Sequence, residues 1–332
     1  MKCWLMLLVA GLSLNAHGGE LNFLCEQDRS YSLLSFPTVF ETTAAVEQAR
    51  VTLSIPNLTF TADEFEDFDK KTRDRLVSDA QWDLVYQETV FDFVNGNVAS
   101  FRDGLNKLES LQYASGKNWF RSLAMLKLFQ MATEARIDGL PVDRFEAALS
   151  HWLKAHSLDR RTRKRAPDPG FVVAVKTSIA FLRSDIDSLR NLDEEAHNVD
   201  ALVTGYYLST LAEVSSEPAD VLSARKFLTE RLNDLLHDSC HRMRAGRMAL
   251  YLARFIKPIA TVDVDALNDG VEYLRLARER LDLLSVPVLW AESYRLSSDY
   301  FELARAFDDR DFIQERLIAL RDRSYDLSIP YR

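Results

Sequence analysis

The side chains best suited to metal chemistry lie between residues 237 and 241. Cys240 and His241 follow His237 by three and four positions, so on a helix both lie on the same side as His237. Imidazole and thiolate groups prefer copper or zinc to calcium or magnesium. This cluster is therefore a candidate metal site. The alternative is a helix end whose partly exposed histidines flank a structural cysteine.

A second candidate is a basic run that precedes Pro167-Asp168-Pro169-Gly170. Two prolines and a glycine predict a loop over residues 157–170. Guanidinium groups bind phosphate, sulfate and carboxylate groups, so the loop is a candidate site for an anionic ligand or an acidic partner. The alternative is a solvated linker between two helical regions. The basic residues are Arg160, Arg161, Arg163, Lys164 and Arg165.

Motifs for catalysis or nucleotide binding are not found in the sequence. It contains no Gly-x-Ser-x-Gly elbow, no Walker loop, no Gly-x-Gly-x-x-Gly and no His-Glu-x-x-His. We therefore expect no cofactor. Acids and tyrosines that could serve a glycosidase or lyase are too numerous to single out a site. They include Asp185, Asp187, Glu292, Tyr294, Asp299 and Tyr300.

The first eighteen residues resemble a secretory signal peptide in layout. Lys2 precedes an apolar run of about eleven residues, from Trp4 to Leu14, and small residues follow it. A membrane span needs about twenty residues, so a retained anchor is the weaker alternative. The segment 1–18 predicts a secreted or periplasmic protein with no membrane span after cleavage.

The cysteines fit an exported protein. Cys3 belongs to the signal segment, which leaves Cys25 and Cys240. Two cysteines in an oxidising compartment predict one disulfide that closes a very long loop. Two buried free thiols are the alternative, and a disulfide would remove the Cys240 thiolate from the metal cluster.

Composition limits the classes of protein. The 332 residues carry a formal charge of -9, and removal of residues 1–18 takes away one lysine and no acid, which gives -10. Such a surface repels nucleic acid, so we expect no nucleic-acid partner. Glycine (11) and proline (9) are scarce, which argues against a fold built on many tight turns and favours long helices.

The region 19–60 differs from the rest of the chain. The alternating segment Val51-Thr52-Leu53-Ser54-Ile55 predicts a strand, and Pro37 and Pro56 interrupt the region. We interpret residues 19–60 as an extended N-terminal arm. From Thr61, a capping box ending at Glu64 indicates the first helix.

Helical periodicity covers the remainder. The spacing predicts helices over 64–78, 81–94, 98–113, 117–136, 142–156, 170–190, 198–214, 219–237, 240–257, 263–284, 288–306 and 309–324. Residues 61–156 then form an N-terminal helical region, and residues 171–332 a C-terminal region resembling a helical repeat. In that region a tyrosine followed by leucine or phenylalanine recurs at Tyr207-Leu208, Tyr251-Leu252 and Tyr300-Phe301.

The predicted fold class is mainly α, with antiparallel helix pairs in a solenoid-like array behind a short extended arm. A closed α/α toroid and an irregular bundle are the alternatives. An array of this kind suits an exported scaffold or accessory protein that binds a protein or peptide partner. The alternative function, attached to the toroid, is a secreted carbohydrate-active enzyme, either a lyase or a glycosidase.

Overall fold

The structure is a computed structural model that describes residues 39–54, 70–112, 118–158, 167–236, 241–281 and 287–304. Over these ranges the protein is mainly helical and contains no strand, so the predicted fold class is confirmed at the level of an all-α protein. The thirteen helices are α1 Val39–Ser54, α2 Lys70–Val94, α3 Val98–Gln112, α4 Asn118–Glu134, α5 Val142–Leu158, α6 Pro169–Arg183, α7 Ile186–Arg190, α8 Asp193–His197, α9 Ala201–Ser215, α10 Pro218–Leu236, α11 Arg242–Ile256, α12 Val264–Arg280 and α13 Pro287–Ala304.

Helix α1 corrects the predicted strand over residues 51–55. Residues 51–54 are the last turn of this helix, and Ile55 lies outside the described residues. Val46 and Ala49 are buried where α1 packs against α2, and Arg50 pairs with Glu88 of α2. Apolar and polar residues that alternate over only five positions are a weak local signal for a strand. Packing of the whole of α1 against α2 favours a helix instead.

Two stretches of the chain are divided into helices differently from the prediction. Residues 70–94 form one helix where two were expected, since no glycine or proline interrupts them. The expected helix over 170–190 ends early because Ser184 has a left-handed backbone with φ 53°. The Asp185 side chain then accepts a hydrogen bond from the Ser188 backbone and starts α7.

The later helices form an inner and an outer layer. Every residue of α9 from Leu202 to Ala212, and every residue of α11 from Ala245 to Ile256, is buried. Helix α10 buries only Ala224, Leu228 and Leu232, which face this inner layer. Helix α11 packs against α9, α10, α12 and α13 and therefore lies at the centre of this part of the core.

Helix α13 also contacts α2, which brings late and early parts of the chain together. None of the helices in the described ranges carries an apolar stretch long enough to cross a lipid bilayer. The predicted helix over 309–324 and the capping box at Thr61 to Glu64 lie outside the described residues.

Candidate functional site

A buried ionic network lies where the C-terminal end of α4 meets α11. Glu134, the last residue of α4, is fully buried, and Gln130 one turn earlier donates a hydrogen bond to its Oε2 at 3.0 Å. The neighbouring Met131 and Ala132 are buried in the apolar core. Packing of this helix therefore carries a carboxylate into a region that excludes water.

Helix α11 presents three polar side chains to Glu134, two to its carboxylate and one to its backbone oxygen. Arg247 donates from Nε to Glu134 Oε1 and from Nη2 to Oε2, both at 2.7 Å, and the Tyr251 hydroxyl donates to Oε1 at 2.5 Å. Arg254 donates to the backbone oxygen of Glu134. Residues 247, 251 and 254 share one helix face because they are four and three positions apart.

Glu292 of α13 completes this side of the network. Its Oε1 accepts a hydrogen bond from Arg254 Nε at 2.6 Å, and its Oε2 accepts one from Arg254 Nη2. Arg254 is 5% exposed and Glu292 4% exposed. Arg254 therefore connects the end of α4 to α13, because its guanidinium binds the Glu134 backbone oxygen and the Glu292 carboxylate.

The turn after α4 adds a second ion pair. Arg136 donates to Glu213 of α9 at 2.6 Å, and its guanidinium lies 3.9 Å from the ring centroid of Phe181. Arg136 has a left-handed backbone, φ 53°, which ends α4 and turns the side chain towards α9. The guanidinium groups of Arg136, Arg247 and Arg254 therefore meet one carboxylate each within a shared core.

The pairings of Glu134 and Glu213 keep these two carboxylates charged. Burial alone would raise the pKa of Glu134, but Arg247, Tyr251 and Arg254 outweigh it and hold that pKa below its usual value. Burial opposes ionisation of Glu213 as well, and Arg136 lowers its pKa. Burial raises the pKa of Tyr251, so its hydroxyl keeps its proton and acts as a donor.

The network has little space beside it. A gap lined by Gln130, Tyr206 and Arg247 is too narrow to admit a water molecule. A sugar or a peptide has no room against Glu134 and Glu292 in this arrangement. The geometry is that of a closed joint between helices rather than an open catalytic cleft.

The described residues form an open groove on each side of α5. The first, about 180 Å³, has Met125, Phe129 and Ala148 in its wall and Glu109 and Asp143 at its charged edge. The second, about 240 Å³, lies between α5, α6 and α7. Its lining combines apolar side chains with charged ones and includes Glu146, Leu149, Lys176, Ile179, Arg183 and Leu192.

The predicted basic site falls outside the described residues. Arg160, Arg161, Arg163, Lys164 and Arg165 belong to residues 159–166. The two ends of the predicted loop 157–170 are helical, however. Helix α5 continues to Leu158, and α6 begins at Pro169, where the Asp168 side chain accepts hydrogen bonds from the backbone of Gly170 and Phe171. Proline suits the first turn of a helix because it needs no N–H partner there.

The predicted metal and disulfide residues are mostly beyond the described ranges. His237, Cys240 and Cys25 lie outside them, and His241 immediately precedes α11 without a side-chain capping bond. Among the described residues, no group of three or more histidines, cysteines or acids is arranged to hold a metal ion. The metal cluster and the disulfide stay predictions.

The candidate acids of an enzyme do not gather at one place. Glu292 is buried against Arg254, whereas Asp299 pairs with Lys257 at 2.6 Å and Asp185 caps α7. The Tyr300 hydroxyl donates to the backbone oxygen of Ala253. These side chains serve separate structural contacts.

The sequence analysis missed Glu134, Arg247 and Arg254. A usable signal was present: two arginines and a tyrosine at 247, 251 and 254 share one face of the otherwise apolar stretch 245–256. Charged residues inside an apolar helix need a buried partner. The partner itself, 113 positions away at residue 134, could not be found from local spacing.

Comparison with known proteins gives no relative: no protein-family model, no curated protein and no solved structure matches this chain significantly. The mainly helical fold and the sites described above are therefore the basis for any functional conclusion.

Proposed function

We propose that this protein is an exported helical scaffold or accessory protein that binds a protein or peptide partner along α5. The observation that carries the proposal is the pair of open grooves flanking this helix, about 180 and 240 Å³ in volume. Apolar walls with charged edges suit the side chains of a bound peptide.

The basic segment follows α5 in the sequence. Arg160 comes two positions after Leu158, the last residue of α5, and four more cations follow by residue 165. Five positive charges within six positions favour a partner with an acidic stretch. The mature chain is otherwise acidic, so this segment is its clearest feature for attracting such a partner.

The proposed body is a solenoid-like array of helix pairs. Three hydrogen bonds between residues 44 positions apart support it for the middle of the chain. They join Asp200, the N-cap of α9, to Arg244 of α11, and α10 to α12 through Arg225 with Asp269 and the Leu236 backbone with Arg280. Contacts between alternate helices at one spacing agree with stacked helix pairs of similar length.

We propose export because residues 1–18 resemble a signal peptide. We propose that Cys25 pairs with Cys240 because an exported protein folds in an oxidising compartment. N-terminal sequencing of the protein recovered outside the cell or in the periplasm should begin after Ala16 or Gly18. Intact-mass measurement with alkylation, before and after reduction, tests the disulfide. Two thiols that alkylate without reductant would contradict it.

The carbohydrate-active alternative gains no support from the network geometry. Arg254 contacts the Glu292 carboxylate and the Glu134 backbone oxygen, and both glutamates are enclosed. A glycosidase needs two carboxylates on either side of a sugar. We therefore do not propose it.

The binding proposal is tested by capture and by crosslinking from one groove. Ala147 is exposed and lines the first groove, so a photo-crosslinking residue placed there should attach to a partner in the native envelope or culture fluid. Mass spectrometry of the crosslinked species identifies the partner and the contact.

A matched pair of variants gives the test its specificity. Ala147→Arg places a long charged side chain in the groove and should reduce partner capture at least about tenfold, the equivalent of 1.4 kcal/mol. Leu222→Arg alters a side chain on α10 that is 69% exposed and should leave capture unchanged. Equal capture by the two variants would reject the first groove as the binding surface.

A further inference from the structure

Four pairs of neighbouring residues in the described ranges combine an aspartate or asparagine with a following glycine. At such a pair the glycine nitrogen can attack the carbonyl carbon of the preceding side chain, because glycine has no Cβ atom in the way. The product of this attack is a five-membered succinimide ring. The pairs are Asn95-Gly96, Asp103-Gly104, Asp138-Gly139 and Asp269-Gly270.

Two of the aspartate pairs lie inside helices. Gly104 is within α3 and Gly270 within α12, so the backbone N–H of each donates to a carbonyl oxygen one turn earlier. Both glycines also pack closely: a Cβ atom at Gly104 would lie 2.2 Å from Thr89 Oγ1, and one at Gly270 would lie 2.2 Å from Tyr300 Cε1. Ring closure at these pairs therefore requires local opening of the helix.

The asparagine pair is held by its own hydrogen bonds. Asn95 Nδ2 donates to the Phe91 backbone oxygen at 2.8 Å, and the Gly96 backbone N–H donates to the Phe93 backbone oxygen at 3.1 Å. The side-chain amide and the attacking nitrogen both have partners in the turn that follows α2. These contacts must break before the ring can close.

The pair Asp138-Gly139 differs from the other three. Both residues are exposed in the loop between α4 and α5, and Gly139 has a left-handed backbone, φ 72°. Neither the Asp138 carboxylate nor the Gly139 N–H forms a hydrogen bond within the part of the chain that the structure describes. Arg102 donates to the Asp138 backbone oxygen. A guanidinium at that oxygen favours loss of the Gly139 amide proton, because it stabilises the negative charge that remains.

We propose that Asp138 is a site of spontaneous isomerisation in the folded protein. The Gly139 nitrogen bonds to Asp138 Cγ, and the amide proton leaves with the hydroxyl of the protonated carboxyl group as one molecule of water. A second water molecule then opens the ring at either carbonyl carbon. Opening at Cγ restores aspartate, whereas opening at the backbone carbon leaves the chain connected through Cγ as isoaspartate.

Isoaspartate adds one carbon to the main chain of a loop that is fixed at both ends. Arg136 pairs with Glu213 at 2.6 Å, and Leu140 is buried. Residues 137–139 must therefore take up the added length. The reaction needs no ligand, so it is independent of partner binding beside α5.

Ageing of the full-length protein, followed by trypsin digestion and chromatography against synthetic isoaspartate peptides, tests the proposal. Asp103 is the matched comparison, because Gly-Leu follows it just as it follows Asp138. In the folded protein, the isoaspartate fraction at residue 138 should exceed that at residue 103 at least about tenfold, because the helical pair must open before it reacts. Equal fractions would overturn the proposal.

A parallel sample aged in guanidinium chloride is the control for the fold. Unfolding removes α3, so residues 103 and 138 should then form isoaspartate at similar rates. A tenfold difference that persists in the denaturant, about as large as in the folded protein, would overturn the proposal, because the difference would then come from the local sequence.

Asp138→Glu identifies the reacting residue. Glutamate would have to form a six-membered ring, which closes more slowly, so the isomer of the tryptic peptide 137–144 should disappear. An isomer that persists in this variant would come from Asp143 in the same peptide and would overturn the proposal.

Discussion

Glu134 is the residue on which most of the buried network depends. It binds Arg247, Tyr251 and Arg254 while it is fully enclosed. An intact buried ion pair adds little net stability, because desolvation of both groups offsets their attraction. Loss of one partner is different, since the remaining charge stays buried without compensation.

Glu134→Gln should therefore destabilise the protein strongly. The variant keeps the shape of the side chain and leaves Arg247 without its counter-charge, so we expect the free energy of unfolding to fall by about 3 to 5 kcal/mol. Urea denaturation followed by circular dichroism measures it. Glu146→Gln is the control, because the Glu146–Arg183 pair is largely solvent-accessible and should contribute little. Equal effects of the two changes would contradict a special role for burial.

Gly270 is required by a close approach between α12 and α13. A Cβ atom there would lie 2.2 Å from Cε1 and 2.4 Å from Cζ of Tyr300, which is fully buried and hydrogen-bonded to Ala253. Gly270→Ala should lower the free energy of unfolding by about 1 to 3 kcal/mol through overpacking. Thermal unfolding measures this change.

Gly170→Ala provides the comparison. The nearest atom to a Cβ at residue 170 is Asp168 Oδ1 at 3.3 Å, so a small movement accommodates it. Equal melting temperatures of the two variants would show that α12 and α13 can move apart without loss of stability.

At the scale of elements, Asp200 both starts α9 and connects it to α11. Its Oδ1 accepts a hydrogen bond from the Leu202 backbone at 2.9 Å, and its Oδ2 accepts one from Arg244 at 3.3 Å. The first contact satisfies a free N–H at the helix start. The second joins two helices of the inner layer.

Two substitutions separate these roles. Asp200→Asn keeps a capping oxygen and loses the ion pair, whereas Asp200→Ala loses both, so we expect Ala to be less stable than Asn by about 1 kcal/mol. Denaturant titration of both variants gives the difference. Identical stabilities would mean that the cap contributes nothing and that the side chain acts through Arg244 alone.

At the scale of the whole molecule, acid should weaken the closure between the end of α4 and the inner helices. The pKa of Glu134 and that of Glu213 are lowered in the folded protein. The unfolded chain therefore takes up protons first, near the usual glutamate pKa of about 4.3. The stability from these pairs is present above that pH and is lost as the pH falls through the lowered values.

We expect the urea midpoint of the wild-type protein to fall steadily below about pH 4.5. Glu134→Gln, which is less stable at neutral pH, should lose less on acidification because one of the two carboxylates is absent. Unfolding curves collected from neutral pH to about pH 3 test this. Parallel losses in both proteins would show that other carboxylates control acid unfolding.

Local chemistry in the sequence determined much of the element order. Helix bounds such as 98–113 and 219–237 were predicted within a residue of α3 and α10. Periodicity, capping residues and the placement of proline act within a few positions, so they can be read without knowledge of the fold. The same reasoning failed at residues 51–54, which belong to α1, a helix that packs against α2.

The tertiary structure alone decided which charged residues meet. Arg247, Tyr251 and Arg254 could be placed on one face of a helix, but their carboxylate lies more than a hundred positions earlier. The packing of all the intervening helices decides which distant helix end meets this face of α11. Spacing along the chain therefore determined the helices, and the close-packed core determined that Glu134 ends among three side chains of α11.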